Sequence, residues 1–315
     1  MHVILNPASQ SGKGYRIWNT LAPLMEERGV PYELHLTQGA GDAGRFAAQA
    51  EEKGDHDLLL LGGDGTLNDM IQDLCHPEEM TIGYIPAGSS NDFARHFAPD
   101  KDPVKALYRI LDRVQPRTVD IGEVTYLRYD EKSIKTGVAK IPKTRRFLVS
   151  CGIGFDAGVC EEAMDSRTKD FLNKIKLGKL TYGSIALHQI REAGKYACDY
   201  AIDGVWKHVD RLLFVVGMNT RFEGGGFMFC PEADPGDGKI DMCLVDGLTT
   251  GEFLTALPGA FKGGHVTHKG VTVTRGTTLQ IKTEAPLWVH TDGEVLVMAS
   301  EISMQTNKDH TTVIL

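Results

Sequence analysis

The sequence predicts an α/β unit joined to an all-β one: an N-terminal three-layer domain on a parallel sheet, then a C-terminal antiparallel β-sandwich. Three observations carry that expectation. A length of 315 residues exceeds one comfortable core, so two domains are expected. The first third alternates short apolar runs with helical periodicity, the pattern of right-handed crossovers and a helix-covered parallel sheet. Beyond about residue 118 the runs become alternating, β-branched and turn-punctuated, as in an antiparallel sandwich.

Each element has a local reason. HVILN (2–6) reads as a buried strand, followed by a helix with Ile17, Leu21, Leu24 and Met25 on one face and Gly29 at its C-terminal cap. YELHLT (32–37) is the second strand, and GDAGRFAAQAEEKG (41–54) the second helix, closed by Gly54. The unbroken leucines of DLLLLGG (57–63) imply a strand buried on both faces. A helix striped by Leu67, Met70, Ile71 and Leu74 follows, then a strand TIGYIP (81–86) and helices near 91–97 and 102–113. In the second part, VDIGEVTYLRY, TRRFLVSCGIG, YACDYAIDG, WKHVDRLLFVVGMN, KIDMCLVDG, VTVTRGTTLQIKT, PLWVHTDGEVLVMAS and EISMQT read as separate strands. Helical interruptions are expected at 155–194 and 249–263, with hairpin-type turns at DGV (203–205) and DGE (292–294).

Charge and cysteines narrow the function classes. Net charge is −8, and residues 1–120 hold 11 Lys/Arg against 18 Asp/Glu, which argues against nucleic-acid coating. Two stretches oppose that trend: 128–146 carries 7 basic and 2 acidic residues, and 167–179 carries 5 and 1. They read either as a face that meets an anionic membrane or as solvated, lysine-rich loops. No run is long enough to cross a bilayer and no export leader precedes HVILN. Six scattered cysteines without CxxC fit reduced thiols in the cytoplasm. His188, His265, His268 and His290 show no ligand spacing.

The chemistry is expected in loops. In an open parallel sheet ligands bind beyond the carboxyl ends of the strands. There LLLLGGDGTLND removes side chains at Gly62, Gly63 and Gly65, so backbone N–H groups and a helix N-terminus can close on an anion. Asp64 would repel a bare phosphate, and makes sense if Mg²⁺ lies between them or a ligand hydroxyl is held. The same residues also read as a tight strand-to-helix turn capped by Thr66. NPASQSGKG (6–14) and IPAGSSNDFARHF (85–97) repeat the strand-to-helix pattern, the latter with Asn91 and Asp92 where N-caps belong. Three such corners converge on one edge of the sheet. No GK pair meets Walker A spacing, and CGIGFDAG (151–158) is one residue too long for a dinucleotide fingerprint.

GGDGTLND, together with NPASQSGKG, PAGSSNDFA, GIGFDA, PEADPGDGKID (231–241) and TDGE (291–294), resembles the diacylglycerol-kinase catalytic family over nearly the whole chain. GGDGT alone is shared with NAD kinases; the ordered set is far more specific. The resemblance implies a nucleotide domain at 1–118 plus about 303–315, a β-sandwich lipid domain at 119–302, and an active cleft between them. It implies ATP and Mg²⁺ as cofactors, with Glu294 as general base and Asp64 beside it in catalysis. Carried over onto this sequence, the nucleotide site comprises Asn6, Thr37, Gly62, Gly63, Asp64, Gly65, Thr66, Leu67, Asn68, Asp69, Gly88, Ser89, Asn91 and Asp92. A separate Mg²⁺ falls to Asp234, Asp237 and the carbonyl of Lys239. Two positions depart from the family pattern: Asp69 stands where Glu is usual, and Ser89 where Thr is usual. Asp69 reaches one methylene less, so a water is expected in its contact.

The function so implied is an ATP-dependent lipid kinase acting on diacylglycerol or a related lipid, cytoplasmic and peripherally associated with the inner membrane surface. A homodimer is left open. Phe227, Met228 and Phe229 in GGGFMFCPEA read as part of an acyl slot or as core. An NAD kinase-like phosphotransferase and a non-catalytic nucleotide-binding regulator are the alternatives.

Overall fold

The computed structural model describes residues 1–136, 138, 140–164 and 196–315. Four parallel strands, β1 (His2–Leu5), β2 (Glu33–Leu36), β3 (Asp57–Gly62) and β4 (Thr81–Pro86), lie in the order β2-β1-β3-β4. Helices α1 (Lys13–Glu27), α2 (Asp42–Glu52), α3 (Asp64–Gln72), α4 (Asp92–Phe97) and α5 (Pro103–Leu111) cover them. The period-two alternation of a strand sorts the leucines of β3 onto two faces. Leu58 and Leu60 pack with Ala43 and Ala47 of α2 and Met70 and Ile71 of α3. Leu59 and Leu61 pack with Trp18 and Leu21 of α1 and Leu107 and Ile110 of α5. This is the three-layer arrangement the unbroken leucines imply.

The antiparallel part comprises β5 (Arg117–Tyr129), β6 (Thr144–Phe147), β7 (Ser150–Gly154), α6 (Phe155–Met164), β8 (Tyr196–Ile202), β9 (Val205–Met218), β10 (Ile240–Asp246), α7 (Thr250–Ala260), β11 (Val271–Gly276), β12 (Thr278–Thr291) and β13 (Glu294–Ile314). Long strands β9 and β12 each pair with β8 at one end and β7 at the other, around one core cluster, while the opposite face of β9 and β10 packs with Phe253 of α7 in a second. The hairpin turns at Asp203-Gly204 and Asp292-Gly293 hold both residues at positive φ, as a two-residue primed turn requires.

One sequence expectation changes here. TLQIKT and PLWVHT, read in separate strands, are one strand β12 that runs through Pro286, and EVLVMAS and EISMQT, also read apart, are one strand β13. The ladder of β12 with β13 shifts register between Lys282 and Leu287, an irregularity where a proline is tolerated. The basic stretch 167–179 lies outside the described residues. The end of β13 returns to the parallel sheet: Thr312, Val313 and Ile314 pair with Thr81, Ile82 and Gly83 of β4.

Ile314 is 1% exposed in the α1/α5 layer. Ile314→Ala is expected to lose roughly 2–5 kcal/mol of stability, read by denaturant unfolding.

Candidate active site

The carboxyl ends of β3 and β4 meet backbone to backbone. A Cβ added to Gly63 would stand 2.9 Å from Gly88 Cα, so neither corner tolerates a side chain on that side. Asn91, at φ 50°, folds back on the same turn: its Oδ1 accepts from Gly88 N at 2.8 Å and its Nδ2 donates to Gly88 O at 2.7 Å. It therefore does not cap α4. Asp64 does so from the neighbouring corner, accepting from Asp92 N (2.8 Å) and Phe93 N (3.3 Å). The third corner joins through Asn6, whose Nδ2 donates to Thr66 Oγ1 at 3.1 Å. Thr66 is thus not the cap of α3: its N-terminal residue is Gly63, and no side chain caps that end. Open N–H groups at a helix start favour an anion.

Other residues of the expected set are engaged elsewhere. Leu67 is core, and its N–H donates to Gly63 O. Asp69 does not face the corner: its oxygens accept from Gly41 N (2.8 Å) and Ala43 N (3.1 Å), capping α2. Thr37 is buried at the end of β2, where its N–H donates to Leu5 O, while Ser89 is exposed beside Gly88. Asn68 is fully buried and turned toward the sandwich, donating to Asp292 Oδ2 at 2.8 Å and Arg146 O at 3.0 Å.

On the facing side stands Glu294. Its Oε1 lies 3.5 Å from the Cβ position of Gly65, so the glycine leaves the carboxylate room against the GGDGT corner. Arg145 holds it, donating to Glu294 Oε2 (2.6 Å), Thr291 Oγ1 (2.6 Å) and Asn68 Oδ1 (3.0 Å). Burial raises the Glu294 pKa, Arg145 opposes that shift, and Asp69 adds to it. Sequence reading placed Arg145 and Arg146 in a surface basic stretch. Both are instead half-buried, Arg146 donating to the carbonyls of Ile71 (2.9 Å) and Leu74 (2.6 Å) at the end of α3. Beneath the hairpin, Asp292 accepts from Leu148, Val149 and Ser150 N–H as well as from Asn68.

His290, which lacked ligand spacing in sequence, also has buried partners. Its Nε2 lies 3.1 Å from Asp156 Oδ2 and 3.0 Å from Glu223 Oε1. Glu223 opens the GGG ribbon, and there Gly225 N donates to Asp92 Oδ2 at 2.7 Å. The ribbon then leads away from the glycine corners into Phe227 and Phe229; Phe227 stacks on half-exposed Phe261 at 4.2 Å.

Carboxylates stand at both places where the sequence reading expects a cation. Asp64 and Asp92 are hard oxygen donors at the glycine corners; burial, then the neighbouring Asp92 charge, pushes Asp64 up to about 7. In the DPGDGKID turn, Asp234 Oδ1 accepts from Gly236 N (3.1 Å) and Asp237 Oδ1 from Lys239 N (3.0 Å), with Asp237 Oδ2 3.5 Å from Arg275. Asp120, which sequence reading missed, joins the turn by accepting from Gly238 N at 2.7 Å.

Comparison with known proteins places the chain in a family. Residues 1–124 match the model of the diacylglycerol kinase catalytic domain, and 150–306 that of the YegS C-terminal NAD kinase beta sandwich-like domain. The chain is 30% identical to a Xanthomonas oryzae protein named "Probable lipid kinase YegS-like", covering 86% of this chain and 82% of that one. It is 28% identical to a Mycobacterium tuberculosis diacylglycerol kinase, covering 92% and 87%. A solved Bacillus anthracis diacylglycerol kinase superposes with TM-score 0.67 at 20% identity, over 99% of this chain and 95% of that one. An Archaeoglobus fulgidus NAD kinase, solved with ATP, shares the fold at TM-score 0.51 and 13% identity, over 100% and 93%.

A carboxyl raised to about 7 carries a proton that the unfolded chain releases near 3.8. Its contribution to stability is therefore full below about pH 4 and is lost as pH rises to about 7. Asp64→Asn is expected to flatten that part of the decline, read as unfolding free energy across this pH range.

Proposed function

We propose that this chain, which belongs to the diacylglycerol kinase catalytic-domain family, transfers the γ-phosphoryl group of ATP to a hydroxyl of diacylglycerol or a related lipid. The observation that carries this reading is Glu294 standing against Gly65, opposite the Gly63/Gly88 contact. In this reading the triphosphate lies along the N–H groups of the glycine corners, and the acceptor hydroxyl lies between them and Glu294. As the acceptor oxygen bonds to the γ-phosphorus, its proton passes to Glu294 and the bond to the bridging oxygen of ADP breaks. Phosphoryl transfer depends on positioning and charge neutralisation more than on covalent chemistry, so a held carboxylate and open N–H donors are the parts it needs. Mg²⁺ supplies the neutralisation when bound; Asp64 and Asp92 are the residues suited to hold it.

Arg145 gives the base its geometry and keeps its pKa from rising further. The division of labour proposed is nucleotide binding by 1–118 with 303–315 and lipid binding by 119–302. Asp234, Asp237 and the Lys239 carbonyl would hold a second, structural Mg²⁺. The ribbon from Asp92 through Gly225 to Phe227, Phe229 and Phe261 supports a lipid acceptor, because it links the corners to a half-exposed aromatic surface. Among the described residues no helix is long and apolar enough to cross a membrane. Peripheral docking through the exposed Arg128, Lys132, Lys140 and Lys143 completes the proposal.

With labelled ATP offered diacylglycerol micelles or NAD, label is expected in the lipid product; label in NADP alone would reject the reading in favour of an NAD kinase. Glu294→Gln is expected to lower kcat by about 10²-fold or more while nucleotide binding persists, as for loss of a general base. A regulator without catalysis would be indifferent to that change. Arg145→Gln is expected to move the acidic limb of the pH–rate profile upward, because the opposing positive charge is gone.

A further inference from the structure

At the end of the parallel sheet opposite the glycine corners, His2 of β1 and Glu33 and His35 of the edge strand β2 converge on one face. His2 Nδ1 and His35 Nε2 are 2.9 Å apart, their rings stacked at 5.1 Å and nearly parallel. Glu33 brings Oε2 to 3.8 Å from His2 Nδ1 and Oε1 to 3.7 Å from His35 Nε2. Each residue has a donor atom within 4.8 Å of the other two. On its far side His2 Nε2 meets Asp55 Oδ2 at 2.8 Å. That carboxylate places the ring proton on Nε2 and leaves the Nδ1 lone pair aimed at His35, as carboxylates behind metal-bound histidines do.

We propose that His2, Glu33 and His35 form a zinc site, with Asp55 as the residue that orients His2. Zinc bonded at about 2.0–2.2 Å to imidazole nitrogen and carboxylate oxygen spans tetrahedral ligand edges of roughly 3.3 Å. The observed spacings fall on either side of that value, so small side-chain rotations suffice. Three protein ligands leave a fourth position for water. The bound ion ties the edge strand to β1 and to the loop before β3. Lys53, whose Nζ lies 2.9 Å from Glu33 Oε2, is the competing cation.

The other group of this kind, the buried Asp156, Glu223 and His290, differs in its proton placement. There Gly293 N–H points at His290 Nδ1 at 3.3 Å, so the ring proton sits on Nε2 between the two carboxylates. That nitrogen has no lone pair to offer, and the group reads as a buried hydrogen-bonded triad.

The test uses the full chain without a histidine tag, stripped of metal by chelator and held in excess Mg²⁺ so that all-oxygen sites are filled. Calorimetric titration with zinc chloride is expected to show one tight site per chain, with a zinc-dependent rise in Tm. His35→Gln and Glu33→Gln, both near the surface and checked for folding by circular dichroism, are expected to weaken binding at least about tenfold and abolish the Tm rise. Asp55→Asn is expected to weaken it about tenfold through the orientation of His2. Lys53→Gln is expected to bind at least as tightly as the unaltered chain. Absence of zinc binding by the unaltered chain overturns the proposal, as does equal binding by the folded His35→Gln and Glu33→Gln variants.

Discussion

The constraint on which the site depends is the buried carboxylate of Asp292. It sits in a two-residue turn, at φ 49°, and accepts from three successive backbone N–H groups and from Asn68. A buried carboxylate with fewer donors would be costly, and here four donors from two segments satisfy it. Through it the hairpin carrying Glu294 is fixed to the start of β7 and to α3. Since α3 begins at the GGDGT corner, the acid and the glycines are set at a defined separation by one polar node.

Arg145 builds on that node. It reaches Thr291, Asn68 and Glu294 at once, touching the hairpin on both sides and α3 in between. A planar guanidinium suits such a fork, which a lysine could not reproduce. Arg146, the next residue, points to the C-terminal carbonyls of α3, where a cation also complements the helix dipole. Neighbouring residues of one basic run thus hold the middle and the C-terminal end of the same helix.

Much of the fold was legible because it is local. The leucines of β3 announced a doubly covered strand, and the D-G pairs announced primed turns. The glycine corners were legible as small-residue strand ends, although the approach of Gly63 to Gly88 depends on the register of β3 with β4, which sequence does not state. Leu67 marks a conflict between two kinds of reading: helical periodicity placed it in the core, motif carry-over placed it in the site, and burial agrees with the periodicity. Arg145 was hidden because its partners Asn68 and Glu294 are far away in sequence and its neighbours look like a solvated loop. Asp69 and His290 escaped for the same reason, their partners lying in other elements. Strand β12 appeared fragmented because a proline ordinarily ends a strand, and only the ladder shows that the chain continues past it.

One consequence follows from β13. This single strand pairs with β12 and β5 in the sandwich, and its last residues enter the parallel sheet beside β4, with β5 alongside as far as Arg117. Its ladder with β5 shifts register between Thr306 and His310, just before the strand joins β4. A bulged strand bends and twists more than a regular one, so the seam between the two sheets is where this spine turns.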